Sequence, residues 1–212
     1  MTNKVLDELK EAVIEMNFDD TEGLTKKALD LKITAADILN DTLIPALDEV
    51  GVLFNDGDYF LPDVLMCVKS YDNSYALLEP LLKEGDYTAK GIVMLGTVAG
   101  DIHDIGKKIL TALLSGNGFE IVDLGVDVTP EIFLEKAKEF NPDIIGMSAM
   151  LTTTMPVMKE TIDVFSESGM RDKYKMIVGG APLSKKFSEE IGADGYGEDA
   201  QSGVELIKSL VK

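Results

Sequence analysis

His103 is the only histidine among the 212 residues. It sits in the run Gly100-Asp101-Ile102-His103-Asp104-Ile105-Gly106, between two carboxylates and two glycines. A carboxylate two positions away can accept a hydrogen bond from one ring nitrogen and leave the other free for a metal, the usual support of a ligating histidine. A lone histidine can also be purely structural; its setting argues for chemistry. An ordinary zinc site needs several such ligands, and the chain offers besides His103 a single cysteine, Cys67, which reads as a core thiol on a helix. A metal held by one protein ligand must bring its other ligands with it, as a tetrapyrrole-like cofactor does.

Three further runs gather unusual residues: Ser148-Ala149-Met150-Leu151-Thr152-Thr153-Thr154, Gly179-Gly180-Ala181 and Tyr196-Gly197-Glu198-Asp199. As a phosphate-binding fingerprint the histidine run fails, because it lacks the G-x-G-x-x-G spacing and a P-loop lysine. Each glycine pair alone could be an ordinary strand-to-helix turn.

The elements around these runs must bring them together. Apolar runs at Gly91–Leu95, Phe119–Leu124, Asp143–Met147, Met176–Val178 and, more weakly, Ala193–Tyr196 read as strands. Amphipathic segments near 105–117, 130–140, 155–168, 184–191 and 199–211 read as helices. Such alternation predicts an α/β domain, a doubly wound five-stranded parallel sheet over residues 89–212. Ligands of these sheets sit beyond the carboxyl ends of the strands, so all four runs should share one rim.

Residues 1–88 have a helical period instead. Val5, Leu6, Leu9, Val13 and Met16 recur at three- and four-residue steps. Leu24, Ala28 and Leu31 mark a second helix. Thr34 is placed to cap a third, carrying Ile38, Leu39, Leu43, Ile44, Leu47 and Val50. A turn at Asn55–Asp58 precedes a fourth helix from near Pro62 to about Lys83. These predict an antiparallel four-helix bundle, joined to the sheet domain through Lys83–Asp86.

The net charge is −18, so nucleic acid and anionic membranes are poor partners. No apolar run approaches the roughly 20 residues of a membrane span. The acidic amphipathic start does not read as a signal peptide. The expected compartment is the cytoplasm.

Together the runs resemble the cobalamin-binding signature Asp-x-His-x-x-Gly, then Ser-x-Leu, then Gly-Gly. Here these are Asp101 to Gly106, Ser148-Ala149-Met150 and Gly179-Gly180. The chain resembles corrinoid proteins of the methylamine, methanol and betaine methyltransferase systems, and more distantly the matching module of cobalamin-dependent methionine synthase. The resemblance covers nearly the whole chain, since that family also carries an N-terminal helical cap.

The resemblance implies a cobalamin bound base-off and His-on, with His103 as lower axial ligand of cobalt. Asp101 would hold and polarise His103. Thr154 would complete a proton relay where the methionine synthase module has serine, so Asp101, His103 and Thr154 form the implied catalytic set. Gly100, Ile102, Asp104, Ile105 and Gly106 would surround the histidine. Ser148, Met150, Leu151, Thr152, Gly179, Gly180, Ala181 and Tyr196 would line the cofactor site. Met150 replaces the usual leucine, a volume-conserving change. Phe54, Leu61 and Val64 would face the methyl side from the helical cap; a bundle-core reading of the same residues stands beside it.

The implied cycle carries a methyl group on cobalt, alternating between cob(I)alamin and methylcobalamin. The implied partners are a substrate-specific methyltransferase, a second methyltransferase acting on tetrahydrofolate or a thiol, and a reductive activase. No residues in the chain suggest a site for activating a methyl donor, so it reads as a carrier subunit and not as a complete enzyme. A cobalamin-dependent mutase subunit, a cobalamin-sensing regulator and a flavodoxin-like domain without a corrin are the alternatives.

Overall fold

The computed structural model describes residues 2–84 and 89–211. Of the expected linker, Gly85 and Asp86 therefore lie outside the described residues. The chain divides into two compact units, one built from the residues up to Ala89 with Gly116–Gly118, the other from Lys90–Ser115 and Phe119 onward.

In the helical unit α1 (Thr2–Ile14) packs on α2 (Phe18–Asp30), and both pack on α5 (Leu61–Glu84). The buried stripe of α1, Val5, Leu9, Ala12 and Val13, follows the predicted period. The carbonyl end of α1 is satisfied from α5 and the turn before it. Tyr59 Oη donates to Ile14 O at 2.9 Å and Cys67 Sγ to the same oxygen at 3.2 Å. Burial, then Asp63, pushes the Cys67 thiol up to about 12, so it is an inert core thiol.

The predicted third helix is interrupted by a wider turn. Thr34 caps α3 (Ala35–Ile38), its hydroxyl accepting from Asp37 N at 3.1 Å. A π-turn at Leu39–Leu43 then leads into α4 (Ile44–Asn55). Pro45 supplies the reason: it has no amide to donate into the helical ladder, and the wider turn absorbs the missing bond.

The second unit alternates strand and helix throughout: β1 Ile92–Thr97, α6 Ile105–Gly116, β2 Glu120–Asp123, α7 Pro130–Phe140, β3 Ile144–Ser148, α8 Met155–Glu167, β4 Lys175–Gly179, α9 Lys185–Ile191, β5 Gly195–Gly197 and α10 Ala200–Leu210. Gly96, Thr97, Ser148 and Gly179 thus belong to strand ends, where the apolar runs alone place them in loops. The sheet is parallel with order β2-β1-β3-β4-β5. Its inner strands are buried, as helices on both faces require. Met94, Phe133, Ile145, Phe165, Tyr174 and Met176 anchor one core.

Two features position the site. Strand order reverses between β1 and β3, so their following loops diverge and leave a crevice. The register aligns Thr97 with Ser148, Ser148 with Gly179, and Gly179 with Gly197. The four runs singled out from the sequence therefore leave the sheet from one row.

Candidate functional site

Asp101 organises the rim, and no part of it is exposed to water. Its Oδ1 accepts from His103 N at 3.1 Å and lies 2.7 Å from His103 Nδ1. Its Oδ2 accepts from Met150 N at 2.8 Å, Leu151 N at 3.2 Å and Thr154 Oγ1 at 2.8 Å. Burial alone would push this carboxyl up, but the donors from Met150, His103 and Thr154 outweigh it and hold the group well below the usual carboxylate range. One aspartate thus ties the loop after β1 to the loop after β3, across the switch point.

An anion at Nδ1 keeps the proton on that nitrogen and the lone pair on Nε2. Nε2 has no hydrogen-bond partner among the described residues, and the His103 side chain is 51% exposed. The loop is also fixed from below. Thr97 Oγ1 donates to His103 O at 3.1 Å and lies 2.9 Å from Ser148 Oγ, which must then donate to it. The loops on this rim carry apolar side chains that a water-facing surface normally hides: Ile102 (75% exposed), Ile105, Met150, Leu151 and Val126.

The glycine pair behaves as a cradle. Gly179 ends β4, and Gly180 adopts φ +132°, where a Cβ would overlap the Ala149 carbonyl oxygen. Only glycine fits there. Ala181 is exposed beside it. Tyr196 is half-buried and donates from its hydroxyl to Leu183 O at 3.2 Å, so it braces the loop after β4. Gly106, by contrast, is exposed, and no protein atom lies near its missing Cβ.

The Met150 side chain is half exposed, and its amide donates to Asp101. Thr152 is exposed. Asp104 pairs with Lys108 at 2.8 Å and is turned to the α6 surface. In the helical unit Val64 is wholly buried, while Phe54 and Leu61 are half-buried.

A single imidazole backed by a carboxylate, an exposed apolar platform and a glycine cradle fit a large planar cofactor with a centrally bound metal. Among the described residues no group of three or more His, Cys, Asp and Glu could hold a metal on its own. Residues 91–205 match the B12 binding domain family, and residues 5–73 match a second B12 binding domain family.

The chain belongs to the B12-binding family.

It is 42% identical over 214 residues to a corrinoid protein of Desulfitobacterium hafniense, covering 100% of this chain and 99% of that one. It is 41% identical to dimethylamine corrinoid protein 1 of Methanosarcina mazei, with the same coverage. Among solved structures it resembles a cobalamin-binding protein from Desulfitobacterium hafniense, with TM-score 0.81, 31% identity and 98% of both chains covered. It also resembles a chain of the methanol:cobalamin methyltransferase complex from Methanosarcina barkeri, with TM-score 0.84, 30% identity, and 98% and 80% covered. The chain is a cobalamin-binding protein, and no helix among its described residues is long and apolar enough to cross a membrane.

Sequence reasoning misses two contributors. It places Thr97 only in a loop, yet this residue hydrogen-bonds the histidine's carbonyl. Lys107, almost fully buried, forms an ion pair with Asp123 at the end of β2. A lysine directly after the Asp-x-His-x-x-Gly run was the available signal, since a charge on the inward face of a helix must find a partner.

Proposed function

We propose that this protein is a corrinoid methyl carrier that binds cobalamin base-off, with His103 in the lower axial position. The observation that carries the reading is the Asp101–His103 pair: Nδ1 is engaged at 2.7 Å and Nε2 is left for a metal. When bound, cobalamin supplies a cobalt that takes up and gives up a methyl group. The residues of the chain hold, orient and balance charge around it. Gly179 and Gly180 would make room for the nucleotide tail, and Ile102, Ile105, Met150 and Leu151 would meet the corrin edge. Asp101 keeps the Nε2 lone pair directed by fixing the other nitrogen. When Nε2 is not bound it is free to accept a proton, and the Asp101 anion opposite balances that charge. Thr154 steadies the anion in both states.

The helical cap would supply the apolar cover through Phe54, Leu61 and Val64. Partners are a substrate-specific methyltransferase that loads the carrier, a second methyltransferase with a tetrahydrofolate or thiol acceptor that unloads it, and a reductive activase. Relatives named as dimethylamine corrinoid proteins, and the likeness to a chain of a methyltransferase complex, support such pairing. In this reading activation of the methyl donor falls to the partner methyltransferase.

The test is reconstitution followed by electron paramagnetic resonance of the Co(II) form, with and without ¹⁵N-histidine. A coupling that responds to histidine labelling is expected; a benzimidazole coupling that ignores it overturns the assignment. Methylation of the reduced protein by a simple methylated amine should need an added methyltransferase. Efficient turnover by the isolated chain would overturn the carrier role.

A further inference from the structure

The histidine loop is gripped from a side that the Asp101 network does not use. After β1 the chain turns through Val98, Ala99, Gly100 and Asp101, closed by Asp101 N donating to Val98 O at 3.1 Å. Gly100 supplies the positive φ, +81°, that such a turn requires at its third position. Its amide points away from the turn and donates to Asp127 Oδ1 at 2.7 Å. Asp127 in turn donates its own amide to Asp101 O at 3.1 Å. One residue of the loop after β2 therefore holds both the amide of Gly100, just before Asp101, and the carbonyl of Asp101 itself.

Asp127 does this from a left-handed backbone, φ +56°, which an L-residue adopts at a cost that glycine would avoid. A simple turn would be better served by glycine. The aspartate adds a charged acceptor, and at 2.7 Å it is a short, charge-assisted bond. The same loop is tied to the far side of the histidine run. Asp123 accepts from the buried Lys107, in the first turn of α6, and from Gly125 N at 2.8 Å. The two loops also meet directly as backbone, since Val98 and Val128 form a parallel bridge beyond the ends of β1 and β2.

We infer that Asp127 is a positioning residue for the axial histidine, setting the Gly100–Asp101 step from which His103 is presented. This rests on His103 being the ligand, so the test has one arm that does not. Asp127→Gly removes the acceptor and relieves the backbone, and Asp127→Asn keeps an acceptor oxygen and tolerates the left-handed conformation. In the cofactor-free protein, exchange of the Gly100 amide should rise about tenfold or more in Asp127→Gly and much less in Asp127→Asn. The thermal midpoint of Asp127→Gly should stay close to that of the parent, because relief of the left-handed backbone offsets part of the lost bond. In the reconstituted Co(II) protein, the histidine-nitrogen coupling of Asp127→Gly should weaken or become mixed. Its affinity for cobalamin should fall by about tenfold, the low end of what loss of an indirect ligand support costs. Asp127→Asn should restore most of both.

A wild-type coupling and affinity in Asp127→Gly would overturn the proposal, as would an Asn variant as defective as the Gly variant. Unchanged Gly100 exchange in Asp127→Gly would overturn the grip itself. Were the parent protein to keep benzimidazole on cobalt, the His103 reading would fall instead, and the exchange arm would still judge the grip.

Discussion

Asp101 and Val64 are both wholly inaccessible to water, for opposite reasons. Asp101 is an anion buried at the rim of the sheet unit, and the groups that meet its carboxylate are hydrogen-bond donors, most of them from another loop. Val64 is an apolar side chain buried in the helical unit, held only by packing. The first position is specified by direction, because a buried carboxylate must be met at short range and correct angle. The second is specified by volume, which many side chains could fill. A polar site residue therefore announces its role through its partners, whereas an apolar one looks the same whether it covers a cofactor or fills a core.

Breaking Asp101 should have the largest effect. Asp101→Ala strands the amides of His103, Met150 and Leu151, leaves the Thr154 hydroxyl only Leu151 O, and should cost about 3 kcal/mol or more in the cofactor-free protein. It should also abolish the histidine-nitrogen coupling after reconstitution. Val64→Ala should cost roughly 1.5–2.5 kcal/mol from the cavity alone and leave that coupling intact. Denaturant melts and spectra of the two variants together test the contrast. If both lose the coupling, Val64 shapes the cofactor site and is not merely core.

Next is Gly180. A Cβ there meets the backbone oxygen of Ala149 at a φ that L-residues rarely adopt, so Gly180→Ala should cost about 2–4 kcal/mol. Gly179→Ala, whose Cβ would lie 3.2 Å from Gly197 O on an ordinary extended backbone, should cost about 1 kcal/mol. Both should weaken cobalamin binding, since each adds volume to the cradle. Equal stability losses would mean the rim yields more than its register suggests.

The acid limb of stability isolates the Asp101 charge. Its folded carboxyl titrates below its unfolded value. The stabilisation is therefore complete above the unfolded value near 4 and is lost as pH falls towards the folded one. Asp194, depressed by Met176 N, Arg171 and Lys175 against its burial, adds a second contribution of the same sign. Asp101→Asn should be less stable than the parent at pH 7, and the gap should narrow from about pH 5 downward. A gap independent of pH would show that shape, not charge, is what Asp101 supplies.

Much of this was legible in the sequence because it rests on periodicity. The strand–helix alternation follows from apolar runs, and the shared rim follows from parallel strands ending in register at Thr97, Ser148, Gly179 and Gly197. The π-turn at Leu39–Leu43 was not legible, because a dense apolar stripe continues through it although Pro45 removes a bond. The sequence points to Met150 through its side chain, whereas its inward contribution is an amide that nearly every residue type carries. Asp127 gives no sequence signal for a similar reason: its role depends on a left-handed backbone that no motif encodes.

The smallest expected effect is at Thr154, and it sharpens the contrast most. The Thr154 side chain is buried and isosteric with valine, so Thr154→Val changes hydrogen bonding at nearly constant volume. The hydroxyl has one proton and two acceptors, Asp101 Oδ2 at 2.8 Å and Leu151 O at 2.9 Å. Beside an anion the proton belongs to Asp101. Removing it leaves Oδ2 with the amides of Met150 and Leu151, so the anion is weakened but not abandoned. The Asp101 carboxyl should then titrate at higher pH than in the parent, still below its ordinary range, and acid destabilisation should begin correspondingly earlier. The stability loss at pH 7 should be about 1 kcal/mol. Carboxyl ¹³C titration of the cofactor-free protein reads the first effect, and a melt reads the second. Thr154→Ser, which restores the hydroxyl without the methyl, should recover the parent titration. If valine instead leaves the Asp101 titration unmoved, Thr154 is a volume-defined residue like Val64, and the rim's chemistry ends at Asp101.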